Sequence, residues 1–350
     1  MIQTLHPTRF THITEVVLPG LVEPTGLHLQ QRTLPAPTAG QALVQVEASG
    51  ISFAEQGMRR GRYPGQPKFP FVPGYDLVGT VREVGTGVDR TVIGTRVAVA
   101  TKTGSWATYA LVDAADLVPV PTGVDPAEAE TVIVNGITAW QMLYRSARAK
   151  SGQTILVHGA NGGVGSILVQ LAQLAGIRVI GTASTRHHDA LRELGVEPID
   201  YHAPDLTAQV RRLAPNGVDA AFDHLGLDSA RRSFDLLTRG GTLVAYGMAA
   251  DLNEEGSMLP MFLKMVGQIV AWTALPNGRR ASFYDFWSGK TVTPRVFRRH
   301  QHEDLSQVLN LLAQGVITPY VAARFPLSEV ARAMELAESR TVMGKVVLIP

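Results

Sequence analysis

The first 130 residues alternate apolar and polar positions in short stretches separated by glycine and proline. The alternation is clearest over Ala42 to Ser49, Leu77 to Gly85 and Gly94 to Thr101. Period-two patterning between turn residues is typical of short strands in a barrel-like sheet. It therefore predicts a β-rich unit over residues 1–130.

A different pattern begins near Asp125, which is positioned to cap a helix that starts at Pro126. Beyond it, short apolar strands alternate with helical stretches. The predicted strands are Thr154 to Gly159, Arg178 to Ala183, Gly217 to Gly226 and Gly241 to Gly247, and the helices include Ser166 to Ala175 and Arg186 to Leu194. This alternation favours a parallel sheet covered by helices on both faces.

The tail after residue 273 is too short for a domain of its own. It contains a helix over Leu305 to Ala313 and a final apolar strand from Gly344. We expect it to return to the first unit. The predicted organisation is a β-rich unit at 1–130, a doubly wound α/β unit at 131–273 and a return segment at 274–350.

A glycine-rich turn between an apolar strand and a helix, within Thr154 to Gly176, carries the strongest chemical signal. Glycines in that context let the backbone approach a diphosphate, whose charge the amino terminus of the helix favours. A structural turn without a ligand is the alternative. The predicted cofactor-binding residues of this turn are Ala160, Asn161, Gly162, Gly163, Val164 and Gly165.

The end of the second predicted strand bears on the choice of dinucleotide. An NAD site usually has an acidic residue there, whereas this chain has Ser184 and Arg186. A guanidinium pairs with a 2′-phosphate, so the sequence favours NADP(H). The alternative is that Arg186 is an ordinary exposed residue at a helix start.

Composition narrows the class of protein. The 32 basic and 30 acidic residues leave a net charge of +2, which does not indicate a nucleic-acid partner. The absence of cysteine excludes disulfides and thiolate metal sites and fits a cytoplasmic protein. We expect no signal peptide in Met1 to Phe10 and no membrane span, because Met258 to Leu275 is interrupted by polar residues.

Several motifs together resemble a known family. They are "FPFVPGYDLVGTVREVG" (Phe69 to Gly85), "NGITAW" (Asn135 to Trp140), "HGANGGVG" (His158 to Gly165) and the carboxyl-terminal stretch from Phe325 to Pro350. The chain is similar to the zinc-free quinone oxidoreductase branch, which includes zeta-crystallin, of the medium-chain dehydrogenase/reductase superfamily. The resemblance implies a GroES-like domain, split in sequence, around a Rossmann domain.

The resemblance also implies cofactor contacts. Thr138 matches a threonine beside the nicotinamide, Tyr201 a tyrosine near the adenosine phosphate, and Arg340 an arginine that reaches the 2′-phosphate in some members. Surface packing is the alternative for Tyr201 and Arg340. Loops at the strand ends contribute Leu225, Tyr246 and Met248.

Zinc is not expected. Where zinc members of the superfamily have Gly-His-Glu, this chain has Gly74-Tyr75-Asp76, and Ile51 or Ser52 replaces the first cysteine ligand. A hydride must then go to an acceptor that is already electron-poor, such as a quinone or an α,β-unsaturated carbonyl. Tyr63 is the first candidate for a catalytic donor and Ser52 the second, although a packed core tyrosine is an equal alternative for Tyr63.

The aromatic segment from Met258 to Leu305 is a candidate wall or lid over a bulky apolar substrate. Within it, residues 267–274 resemble the edge strand by which the family pairs two sheets, so we expect a homodimer. The sequence thus predicts an NADPH-dependent reductase of a small quinone or enone. Alternatives are an enoyl-thioester reductase and an NADPH-binding protein of low turnover.

Overall fold

The computed structural model describes residues 10–249 and 258–350. Residues 1–9, which make up nearly all of the segment considered for a signal peptide, lie outside the described residues. The described chain forms one antiparallel hairpin, one mixed sheet and one parallel sheet. This confirms the predicted fold class.

The mixed sheet and the hairpin form the β-rich unit. Strand β15 is parallel to β14 but antiparallel to β3, where Val347 faces Gly50. The last strand of the chain therefore completes a sheet that begins near its start. The hairpin is β1 (Phe10–Val17) and β2 (His28–Pro35), and the sheet comprises β3 (Gln41–Ile51), β4 (Asp76–Val84), β5 (Arg96–Ala100), β6 (Tyr109–Asp113), β7 (Val118–Pro119), β14 (Val321–Pro326) and β15 (Lys345–Ile349).

The second unit contains six parallel strands in the order β10-β9-β8-β11-β12-β13. This order is that of a doubly wound dinucleotide-binding sheet, and its crevice lies at the carboxyl ends of β8 and β11. The sheet extends past residue 273, where the sequence placed the end of this unit. Its strands are β8 (Thr154–His158), β9 (Arg178–Ala183), β10 (Val196–Asp200), β11 (Val218–Asp223), β12 (Leu237–Ala245) and β13 (Arg280–Phe283).

The helices connect and cover these sheets. Asp125 caps α2 as predicted, accepting hydrogen bonds from the backbone N–H groups of Ala127 and Glu128. A π-helical segment, Gln141–Ala147, continues directly from α3. The helices are α1 (Phe53–Arg59), α2 (Pro126–Thr131), α3 (Val134–Trp140), α4 (Gly163–Leu174), α5 (His188–Glu193), α6 (Leu206–Leu213), α7 (Leu227–Asp235), α8 (Leu259–Ala274), α9 (Pro294–Ala313) and α10 (Val330–Glu338).

The prediction of an edge strand at residues 267–274 is wrong, because this stretch belongs to α8. Its buried positions follow the helical spacing rather than alternation. They are Met265, Ile269 and Trp272. Moreover, the Thr273 hydroxyl donates to the Ala281 carbonyl (3.1 Å) and accepts from the Ala281 N–H (3.4 Å), so α8 covers the outer edge of β13 at that point.

Two further findings concern helices. Helix α9 begins at Pro294, well before the predicted start at Leu305, since proline suits the first helical turn. Among residues 10–249 and 258–350, no helix combines the length and the apolar character needed to cross a bilayer.

A continuous hydrophobic core joins the two units. It includes Trp106 from the β-rich unit, Ile137 from α3, Phe222 from β11 and Leu309 from α9. Because α3 and α9 lie in this shared core, residues on them are held rigidly between the two sheets. The candidate site lies along this boundary.

Candidate active site

The glycine loop, residues 159–165, joins β8 to α4. The N-cap of α4 is Gly162; no side chain caps this end, and its first turn carries no acidic residue. The first N–H groups of a helix have no intrahelical acceptor, and the helix dipole favours an anion there. The loop therefore offers free donors to a phosphate group.

The glycines of this loop have different reasons to be glycine. A Cβ on Gly165 would lie 2.2 Å from the carbonyl oxygen of Gly159, and one on Gly163 would lie 2.5 Å from the Asn135 amide nitrogen. At Gly162 the nearest atom would be the Gly159 oxygen at 3.2 Å. Internal packing thus requires Gly165, whereas a side chain at Gly163 would displace that of Asn135 and one at Gly162 would meet the backbone closely. Without side chains at these positions a ligand can approach the backbone, so the loop fits a dinucleotide diphosphate.

The other loop residues are positioned by neighbouring strands and by the tail. Ala160 is fully buried and donates its N–H to the carbonyl of Thr182 (3.0 Å), whereas Val164 is half-buried. The carbonyl of Asn161 accepts from the N–H of Gly344 (3.3 Å). Residues of the return segment therefore contact the glycine loop.

Three residues predicted for the adenosine end come together at the end of β9. The Arg186 Nε donates to the Ser184 hydroxyl (3.3 Å), and the Tyr201 N–H donates to the Ala183 carbonyl (3.2 Å). The Tyr201 side chain is 48% exposed, and its ring lies 4.0 Å from that of His202. This group could contact an adenosine ribose and a phosphate on it.

Arg340 lies elsewhere. Its guanidinium donates to the carbonyl of Ala249 (3.4 Å), in the loop after β12. Strands β12 and β9 lie on opposite sides of β8 in the sheet. Arg340 therefore contacts the part of the sheet on the other side of β8 from Arg186, and its assignment to the 2′-phosphate stays a prediction.

His224, which the sequence analysis did not select, packs against the glycine loop. A Cβ on Gly159, whose φ is +63°, would lie 2.6 Å from the His224 ring, and the Tyr246 hydroxyl lies 3.4 Å from His224 Nδ1. Burial lowers the pKa of His224 to about 4, so the imidazole is neutral at neutral pH. The other residues predicted at these strand ends are half-buried or buried: Leu225 and Met248.

Helix α3 connects the glycine loop to the residues that follow β13. Asn135 contacts Gly163, and Thr138, three residues further along, is nearly buried and lies beside the Tyr284 hydroxyl. The Tyr284 hydroxyl in turn donates to the Gln141 side-chain carbonyl (2.9 Å). Burial raises the pKa of Tyr284, so this hydroxyl stays protonated.

Four aromatic side chains from the two units meet beside this region, and we call them the aromatic wall: Tyr63, Tyr75, Phe286 and Trp287. The hydroxyls of Tyr63 and Tyr75 lie 2.6 Å apart, and the Trp287 indole N–H donates to the Tyr75 hydroxyl. The Phe286 ring lies 6.0 Å from the ring of Tyr75. Burial raises the pKa of Tyr63 to about 12 and that of Tyr75 further, so both remain protonated.

Only part of the predicted aromatic segment contributes to this wall. Phe262 pairs with Phe283 (5.3 Å), and Trp272 stacks on Phe234 (4.9 Å), both in the parallel-sheet unit. Sequence reasoning missed Tyr75 as a polar group of the site. The available signal was its place in the Gly74-Tyr75-Asp76 triplet, where zinc members have a ligand.

Ser52 has a structural role in this conformation. It caps α1, accepting from the Ala54 N–H (3.1 Å) and donating its hydroxyl proton to the Glu55 carboxylate. The other oxygen of Glu55 accepts from the Tyr75 N–H (2.7 Å). The Ser52 proton is therefore already engaged with Glu55.

A buried ionic cluster supports the wall from behind. The Lys345 ammonium contacts Asp76 (2.9 Å) and Glu130 (2.7 Å), and all three side chains are almost completely buried. Burial, reinforced by the nearby Asp76 charge, raises the pKa values of Glu55 and Glu130. The backbone N–H of Val134 donates to Asp76 (3.3 Å), which ties the start of α3 to the cluster.

The described residues contain no group of three histidine, aspartate or glutamate side chains arranged to hold a metal ion. At the position of the zinc members' Gly-His-Glu, Asp76 is paired with Lys345. His188 and His302 each contact a backbone carbonyl instead, those of Ala183 (3.3 Å) and Ala115 (2.9 Å).

The sequence is similar to those of known protein families and of characterised relatives. Residues 38–122 match the alcohol dehydrogenase GroES-like domain, and residues 194–348 match a family described as zinc-binding dehydrogenase. The human synaptic vesicle membrane protein VAT-1 homolog is 33% identical over 323 residues, which cover 90% of this chain and 80% of that protein.

Two further relatives carry the name quinone oxidoreductase. A probable quinone oxidoreductase of Schizosaccharomyces pombe is 28% identical, over 92% of this chain and 93% of its own length. The crystal structure of Escherichia coli quinone oxidoreductase complexed with NADPH superposes with a TM-score of 0.83 at 26% identity, covering 96% of this chain and all of that one. The split GroES-like unit, the doubly wound sheet and these relatives together identify the chain as a member of the medium-chain dehydrogenase/reductase superfamily, in its quinone oxidoreductase branch.

Proposed function

We propose that this protein is an NADPH-dependent, zinc-independent reductase that transfers a hydride to a small quinone or α,β-unsaturated carbonyl. The observation that carries the proposal is the course of α3. This helix contacts the glycine loop through Asn135 and the residues after β13 through Thr138, so one rigid element joins a diphosphate site to the aromatic wall.

The proposed dinucleotide site has two ends. Free N–H groups at the start of α4 receive the diphosphate, and Ser184, Arg186 and Tyr201 receive the adenosine ribose with its 2′-phosphate. Thr138, His224 and Tyr246 line the path towards the acceptor. When bound, NADPH supplies the hydride, and the protein supplies position and polar contacts.

The acceptor gains a hydride and a proton, and its oxygen becomes more negative as the hydride arrives. Tyr63 is the proposed donor to that oxygen, because its hydroxyl is protonated and lies at the half-buried end of the wall. Ser52 is the second candidate and would first have to leave Glu55. The close packing of Tyr75, Phe286 and Trp287 supports a compact planar acceptor over a long acyl thioester.

The test is NADPH oxidation by the purified protein with a panel of quinones, enones and enoyl thioesters. We expect turnover with a quinone or enone, and a Tyr63→Phe loss of about 100-fold in kcat/KM. Activity confined to enoyl thioesters would establish that alternative. Tight NADPH binding without turnover of any acceptor would favour a binding protein.

A homodimer and a cytoplasmic location are also part of this proposal. The support for dimerisation is a row of exposed aliphatic side chains on α8: Leu259, Leu263 and Val270. Light scattering after size-exclusion chromatography tests it, and a monomer at micromolar concentration would contradict it.

A further inference from the structure

A chain of three polar atoms crosses the boundary between the two units: Trp287 Nε1, the Tyr75 hydroxyl and the Tyr63 hydroxyl. An indole N–H can only donate, so Tyr75 is the acceptor from Trp287. Either hydroxyl could donate across the 2.6 Å contact between Tyr75 and Tyr63. Because Tyr75 is almost completely buried and, among the described residues, its proton has only the Tyr63 oxygen as an acceptor, we assign Tyr75 as the donor. This order leaves the Tyr63 proton without an acceptor among residues 10–249 and 258–350.

The burial of the two tyrosines shows which end of this hydrogen-bond chain is accessible. Tyr75 is only 4% exposed, whereas Tyr63 is half-buried, so the free proton is at the more accessible end. At the other end, rings hold the indole in place: Trp287 lies 5.0 Å from Phe286 and 6.0 Å from Phe297, and the Lys290 ammonium lies 4.4 Å from its ring. The Trp287 indole, which donates the first hydrogen bond, is therefore held in place.

We propose that Trp287 and Tyr75 are positioning residues that direct the hydroxyl proton of Tyr63 towards the acceptor's oxygen and strengthen it as a donor. A hydroxyl that accepts a hydrogen bond donates more strongly, and two successive bonds of the same direction add to that effect. This inference rests on the proposed reductase function and assigns roles within the same site.

The segment that carries Trp287 also carries Tyr284, whose hydroxyl donates to the Gln141 side chain directly after α3 (2.9 Å). Four consecutive residues, 284–287, thus contact both the cofactor side and the donor side of the site. A substrate that displaces Trp287 would lose the alignment of Tyr63. We therefore expect the best acceptors to fit beside the indole rather than replace it.

The test is a double-mutant cycle. Trp287→Phe removes the N–H but keeps an aromatic ring, and it should lower kcat about three- to tenfold with little change in KM. In a Tyr63→Phe background the same change should have no further effect. Trp287→His, which keeps a ring N–H, should recover most of the rate, and Trp272→Phe on α8 is the matched control.

An equal loss from Trp287→Phe in both backgrounds, or an equal loss from Trp272→Phe, would overturn the inference. A second readout needs no turnover: the ¹³Cζ NMR signal of Tyr63 in the cofactor-free protein should shift in Trp287→Phe and in Tyr75→Phe, but not in Tyr109→Phe. An unchanged signal would also refute the chain. If the wild type reduces no acceptor, the reductase proposal fails, and this NMR signal alone then tests whether the hydrogen-bond chain exists.

Discussion

The glycine loop and the aromatic wall are the two sides of the candidate site, and they are built in opposite ways. The loop comes from one continuous strand–turn–helix, whereas the wall joins residues 212 positions apart, Tyr75 and Trp287. The loop depends on close backbone packing and unpaired N–H groups. The wall depends on tyrosine hydroxyls that are held by aromatic residues far away in sequence and by a buried ionic cluster. Tertiary packing therefore determines the hydrogen bonds that these hydroxyls make.

The largest expected effect comes from the cluster behind the wall. Lys345→Met would leave the Asp76 carboxylate buried without its cation and Glu130 without its hydrogen-bond partner, which should lower the free energy of unfolding by about 3–5 kcal/mol. Urea denaturation followed by circular dichroism measures this. The control Lys150→Met removes an exposed charge, and a similar loss there would contradict the importance of burial.

The second largest effect is expected from a substitution that disrupts the packing of the glycine loop. Gly165→Val places a side chain against the carbonyl of Gly159, and strain of this kind should weaken NADPH binding about 10- to 100-fold. Calorimetric titration gives the Kd. Gly267→Val on α8 is the control, because a Cβ there meets no atom within 4 Å. Unchanged affinity in Gly165→Val would remove the loop from the proposed site.

A smaller effect is expected on the preference for NADPH over NADH. Arg186→Ala should weaken NADPH binding about tenfold and leave NADH binding unchanged, because only the 2′-phosphate would pair with the guanidinium. Arg192→Ala, in the exposed pair with Asp189, is the matched control. If both coenzymes lost affinity equally, Arg186 would not read the 2′-phosphate.

The smallest effect concerns pH. The raised pKa of Glu130 means that the folded protein retains a proton which the unfolded chain releases near pH 4.5. Stability therefore falls as pH rises above that value, and Glu130→Gln should flatten this fall. Denaturation at several pH values measures it, with Glu128→Gln on the same helix as control. A slope unaltered by Glu130→Gln would assign the dependence to other groups.

Local pattern was sufficient for the elements whose signal is continuous in sequence. The alternating strands, the capped start of α2 at Asp125 and the glycine turn were all predicted from neighbouring residues. The apolar run of α8 was misread as a strand, because a short apolar segment fits either period until its buried face is known. Arg340 was assigned to the 2′-phosphate by resemblance alone, and its contact with the Ala249 carbonyl after β12 could not be read from the sequence.

By itself the sequence determined the fold class and the position of the glycine loop, since both follow from local periodicity and from glycines at fixed offsets. Tertiary structure alone decided that the Tyr75 hydroxyl meets that of Tyr63, that Ser52 is a helix cap and that α8 covers the edge of β13. The physical reason is that hydrogen bonds between distant residues depend on which side chains packing brings within about 3 Å of each other.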